Sequence, residues 1–194
     1  MITCLHTADV HVETFGALLP DAIHVVRADF LDRARAGGME AVADDVKAML
    51  RELAQNGPVL CTCSTLGPLV DDVALANVVR IDRPAMEAAV AVGGEVVVAI
   101  CLNSTRDATL ALFDEVAGGR ASAKLVLCDA AWPLFEAGDM AGYAQAIADA
   151  LHGQGARVLL AQASMAVAAP LLETQGVLVF TTPNAAAEYV AALV

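Results

Sequence analysis

The chain is short of positive charge. Eleven lysines and arginines stand against 23 aspartates and glutamates over 194 residues, a formal net charge of -12 at pH 7. Such a chain repels phosphate backbones and anionic lipid surfaces, which argues against nucleic acid as a partner and makes any small anion depend on locally placed donors. It also lacks an apolar run of about 20 residues free of charge or glycine, so no transmembrane helix is expected. The amino-terminal MITCLHTADVH has neither the basic start nor the long apolar stretch of a signal peptide. The glycine-rich phosphate fingerprints, both the Walker type ending in Gly-Lys and Gly-x-Gly-x-x-Gly, are missing, which removes support for nucleotide binding. Five cysteines are an odd number in no disulfide-like spacing, and free thiols in a reducing cytoplasm are expected.

What the chain has in quantity is apolar material, 58% of its residues, and that material repeats. A shift of about 99 positions carries VLCTCST, from Val59, onto VLLAQAS, from Val158, and NVVRIDRP, from Asn77, onto GVLVFTTP, from Gly176. With a drift of a residue or two, CLHT at Cys4 meets CLNST at Cys101, and HVVRADF near His24 meets KLVLCDAA near Lys124. Repetition of this kind across the whole length implies two similar halves. Strands are predicted near 1–6, 23–27, 58–63 and 77–82, and again near 95–102, 123–128, 156–162 and 176–181. Between them lie helical patterns such as VADDVKAMLRELAQNG, with apolar spacing through Val42, Val46, Met49, Leu50 and Leu53. Pro84 and Pro183 are placed to open helices at the first turn. Alternating strands and helices imply parallel sheets with right-handed crossovers. The expected architecture is α/β, with two pseudo-twofold-related lobes, residues 1–94 and 95–182, hinged at Gly93 and Gly94, and a helix over 183–194 packing back onto the first lobe. The carboxyl ends of both sheets are expected to line a shared cleft.

Open parallel sheets gather their chemistry outside the carboxyl ends of strands. Four polar strand ends fall there: His6 and Thr7; Cys63, Ser64 and Thr65; Ser104 and Thr105; and Gln162 and Ser164. Free N–H groups at the helix starts that follow suit a carboxylate. Cys63 stands at the exit of its strand beside hydroxyls, a setting that lowers a thiol pKa, whereas Cys61 lies one step deeper on the same face and reads as packing. Cys4, Cys101 and Cys128 read as core. His6 is a candidate proton relay, the imidazole being the side chain best matched to neutral pH; His11 and His24 read as partly exposed and without partners. A Cys-x-Cys pair with His6 lacks the second ligand pair of structural zinc, so no metal is expected. Asp82 and Arg83 read by default as a surface ion pair, the alternative being a contact between the lobes.

The two pseudo-symmetric lobes, each with an apolar strand ending in small polar residues, make the chain resemble the aspartate/glutamate racemase superfamily, which includes hydantoin racemases, maleate isomerases and arylmalonate decarboxylases. Cys63-Ser64-Thr65 is similar to its Cys-Asn-Thr motif, and Ala161-Gln162-Ala163-Ser164-Met165 to its second motif, Gly-Cys-Thr-His or Gly-Cys-Ala-Gly-Met. The resemblance implies cofactor-independent proton transfer at a carbon next to a carboxylate, with Cys63 as acid/base and Thr7, Ser64, Thr65, Ser104, Thr105, Gln162 and Ser164 around a small carboxylate-containing substrate. No cofactor is implied, and a homodimer is expected. Two departures stand out. Gln162 occupies the second cysteine's position and exchanges no proton near neutral pH, and His6-Thr7 stands where glutamate racemases have Asp-Ser. One thiol suits isomerisation or decarboxylation better than two-base racemisation. The alternative is a non-catalytic carboxylate-binding protein on the same scaffold.

Overall fold

Eight short apolar runs become eight strands, and each is followed by a helical segment. A computed structural model describes all of residues 1–194. In the first half the order is β1 (Thr3–His6), α1 (Val10–Leu18), β2 (Ile23–Val26), α2 (Ala28–Gly37), α3 (Ala43–Ala54), β3 (Val59–Cys61), α4 (Gly67–Val73), β4 (Val78–Arg80) and α5 (Arg83–Ala91). The second half runs β5 (Gly94–Ile100), α6 (Arg106–Ala117), β6 (Ala121–Leu127), α7 (Trp132–Glu136), α8 (Met140–Leu151), β7 (Arg157–Leu160), α9 (Ala169–Glu173), β8 (Leu178–Thr181) and α10 (Thr182–Ala191). Pro84 and Pro183 are each the second residue of their helices, where a missing N–H costs nothing.

The strands form two all-parallel four-stranded sheets of identical topology, β2-β1-β3-β4 and β6-β5-β7-β8. Two compact units result, Met1–Asp82 with Pro183–Val194, and Arg83–Thr182. The division therefore falls at Asp82 and not at the glycine pair, because α5 packs on α6, β7 and β8 of the second sheet. In the first unit Val46 and Leu50 of α3 are buried, with Met49 and Leu53 at the edge, in one core with Leu5, Val59, Cys61 and Cys63. In the second unit Tyr143, Ile147 and Leu151 of α8 pack against Val97, Ala99, Val158 and Leu160. Trp132 stacks on Phe135, with ring centroids 4.9 Å apart, and is partly buried against this same core.

Strand register refines the repeat. Val59 and Val158 hold the same place in their sheets, opposite Thr3 and Val97 respectively, so the shift of 99 is right for β3 and β7. It follows that β1 matches β5 with Thr3 on Val97, Leu5 on Ala99 and Thr7 on Cys101, and the overlay of CLHT on CLNST is corrected by three residues. β4 matches β8 with Arg80 on Thr181. Two extra residues, Ile81 and Asp82, then separate Arg80 from α5, whereas α10 follows Thr181 directly.

Those two residues carry a buried ion pair. Arg80 is 5% exposed, and its guanidinium donates from Nε and Nη2 to the two carboxylate oxygens of Asp82, at 2.7 and 2.9 Å. Its Nη1 donates to Asp71. Asp82 therefore belongs to a buried bidentate pair with Arg80, not to a surface pair with Arg83, which bonds Glu115. Gly67, opening α4, lies against this guanidinium: a Cβ there would stand 2.5 Å from Nη2, so no other residue fits without moving the pair.

Candidate active site

In a sheet of order 2-1-3-4 the chain leaves β1 toward one edge and β3 toward the other, which opens a crevice between their carboxyl ends, the usual place for a ligand in an open α/β sheet. In the first unit this crevice is bordered by His6 and Thr7 from β1 and by Thr62 and Cys63 from β3. The strand itself ends at Cys61; Cys63, in an extended conformation, leads into a 3-10 turn, Ser64–Leu66, that runs into α4. Cys63 is 9% exposed, and Ser64 and Thr65 are half-buried. Cys61 is fully buried, and burial pushes its thiol up to about 12. Burial does the same to Cys4 and Cys128, which also reach about 12, and raises Cys101 as well.

The second unit treats the corresponding crevice differently. Gln162, the counterpart of Cys63, turns its amide back across it, and Oε1 accepts from the backbone N–H of Cys101 at 2.5 Å and of Leu102 at 3.3 Å. The backbone donors there are satisfied by the protein's own side chain. In the first unit register makes Thr7 the counterpart of Cys101 and Cys63 the counterpart of Gln162, so no amide is available there to cap the equivalent N–H.

Two of the remaining second-unit candidates are also engaged internally. Thr105 donates to the carbonyl of Leu102 at 2.8 Å, and the Ser164 hydroxyl bonds the Tyr143 hydroxyl at 2.9 Å, which in turn contacts Cys101 Sγ at 3.3 Å. Burial, reinforced by the Cys101 contact, drives the Tyr143 phenol well above its ordinary range, so this chain of groups stays protonated. Ser104 is exposed. Tyr143 was invisible in the sequence because one tyrosine in an apolar helical stripe looks like any other packing residue.

His6 is placed apart from Cys63. Leu5, Cys61 and Cys63 point into the core, and His6 and Thr62 point to the opposite face of the sheet. The Thr62 hydroxyl donates to Leu5 O at 3.2 Å, so its oxygen accepts from His6 Nδ1–H at 2.8 Å. This leaves His6 Nε2 as acceptor for His24 Nδ1–H at 2.9 Å, with the two rings 12° from parallel. His24, read from sequence as partnerless, is thus half-buried and bonded, and both nitrogens of His6 are occupied. The signal that could have found the pair is register: β1 and β2 run parallel with Cys4 opposite His24.

Burial first, then repulsion from His24 and His11, pushes His6 down to about 4. The folded protein holds this ring neutral, whereas the unfolded chain protonates near the ordinary value of about 6.5. Stability is complete above that value and falls as the pH drops toward 4, by on the order of 3 kcal/mol from this residue. Urea unfolding with EDTA present should show this acid-side slope in the wild type and a flatter one in His6→Gln; equal slopes would refute the assignment.

This doubled parallel sheet is a fold the chain shares with solved racemases and a decarboxylase. The aspartate racemase of Picrophilus torridus is 16% identical with a TM-score of 0.74, the match covering 99% of this chain and 92% of that one. Allantoin racemase from Klebsiella pneumoniae is 19% identical with a TM-score of 0.67, covering 99% and 86%. An arylmalonate decarboxylase structure is 14% identical with a TM-score of 0.58, covering 99% and 91%. No protein-family model and no curated protein sequence matches the chain. No helix is long and apolar enough to cross a membrane.

Proposed function

We propose that the protein is an enzyme of the racemase type, transferring a proton at a carbon adjacent to the carboxylate of a small acid, with Cys63 as the acid/base. The observation that carries this reading is the contrast between the two switch points: Gln162 caps the backbone donors in one, and in the other the equivalent residue is Cys63, with Thr7 as the counterpart of Cys101. An N–H fixed near a proton-transfer group is the kind of donor that steadies a carboxylate or a developing enolate. Thr7, Ser64 and Thr65 complete the set on this side. His6 has no part in proton transfer in this reading, since both ring nitrogens are engaged. With no thiol at position 162, the chemistry that fits is one-sided, an isomerisation or a decarboxylation followed by protonation of an enolate. The packing of Cys63 within the core favours, as a second reading, a carboxylate-binding protein without turnover.

Solvent isotope incorporation separates the two. Incubation with α-amino acids, substituted malonates and hydantoins in deuterated water should place deuterium on carbon for one of these classes. Binding of such an acid with no incorporation at any pH would leave the second reading and remove the first.

A further inference from the structure

Behind the proposed site, on the other face of the same sheet, three metal-ligating side chains meet. Cys4 and His6 alternate along β1 and so share a face, and His24 sits opposite Cys4 on β2. One donor atom from each lies within 4.8 Å of the others. We propose that Cys4 Sγ, His6 Nε2 and His24 Nδ1 form a binding site for a zinc-like divalent ion.

The donor set and its surroundings both suit such an ion. One thiolate with two imidazoles is a borderline-soft set that favours zinc and disfavours magnesium or calcium, which need oxygen. Metal–nitrogen and metal–sulfur lengths of about 2.1 and 2.3 Å at tetrahedral angles put ligand atoms roughly 3.5 Å apart. The two nitrogens, at 2.9 Å, are close to this spacing, and the sulfur, within 4.8 Å of both, needs a shift of little more than an ångström. The orienting contact of a metal-bound histidine is present: His6 Nδ1–H is held by Thr62 Oγ1, which turns Nε2 toward the other two ligands. Three protein ligands leave a fourth position for water.

Binding balances without a redox step. The Cys4 S–H bond breaks, its proton leaves to solvent, and the sulfur bonds the metal. His24 changes tautomer, giving up its Nδ1 proton and carrying one on Nε2, so that Nδ1 becomes a ligand. His6 Nε2, released from that hydrogen bond, becomes the third.

The test titrates chelator-stripped full-length protein with Co²⁺ and then Zn²⁺. The wild type should take up one equivalent of Co²⁺ with an intense thiolate-to-cobalt band and the visible bands of a tetrahedral site, and Zn²⁺ should displace it. Cys4→Ala should lose the thiolate band. Thr62→Val keeps all three ligands and should bind about 10–100-fold more weakly with the same spectrum, the usual cost of removing an orienting partner. Because a core variant can fail to fold, His24→Gln, at a half-buried position, serves as a second ligand deletion, and Cys101→Ala should change nothing. A folded wild type that shows no stoichiometric thiolate band, or a band that survives in Cys4→Ala, overturns the site. Neither result depends on catalytic activity, so the site stands or falls apart from the function proposed above.

Discussion

Replacing Cys63 with alanine is expected to abolish solvent deuterium incorporation, with the rate falling by the roughly 10²–10⁴-fold that a positioned acid/base contributes. The expectation rests on place as well as chemistry. Cys63 stands past the end of β3 at the switch point, where its counterpart in the other unit has an amide that caps two backbone N–H groups. Cys61, two residues earlier, faces the same core but is wholly buried, with its thiol pushed up to about 12 and directed at the Cys63 carbonyl at 3.9 Å. Cys61→Ala should therefore retain most of the exchange rate and lose about 1–2 kcal/mol of stability, as an ordinary core truncation does. Measuring exchange and urea unfolding on both variants decides the matter. If Cys61→Ala removes exchange and Cys63→Ala does not, the wrong thiol has been assigned; if both retain it, the proton comes from elsewhere.

The second large effect falls on stability. Asp82→Ala should cost about 3–5 kcal/mol, because it leaves the guanidinium of Arg80 buried with only the more exposed Asp71 to meet it. That is a large share of the roughly 5–15 kcal/mol that holds a typical domain folded. The double variant Arg80→Met/Asp82→Leu should recover much of the loss, since removing both charges also removes the desolvation penalty. Urea unfolding followed by far-UV circular dichroism of wild type, single and double variant gives the three free energies to compare. A single variant within 1 kcal/mol of wild type would mean that water reaches Arg80. A double variant worse than the single would mean that the pair contributes more than its burial costs.

The contrast between Cys63 and Gln162 links both halves of the argument. The repeat places the two residues in equivalent positions, and only the hydrogen bonds show that they are put to different use. Gln162→Cys would supply a second thiol at the price of two backbone donors left without their acceptor, so the variant should be less stable than wild type whatever it does to the chemistry.

By itself the sequence determined the eight strands, the doubled α/β plan, the equivalence of Cys63 with Gln162 and the core face of α3. Each of these rests on local signals: apolar period, strand-breaking glycine and proline, and a repeat whose register in β3 and β7 survives folding unchanged. The tertiary structure decided what those signals cannot carry. The offset between β1 and β5 depends on which residues pair across the sheet. Burial of Arg80 with Asp82 needs α4 to bring Gly67 against the guanidinium. The His6–His24 bond needs two parallel strands in one register. A side chain's partner is chosen among residues tens of positions away, and only the packed chain brings them within 3 Å.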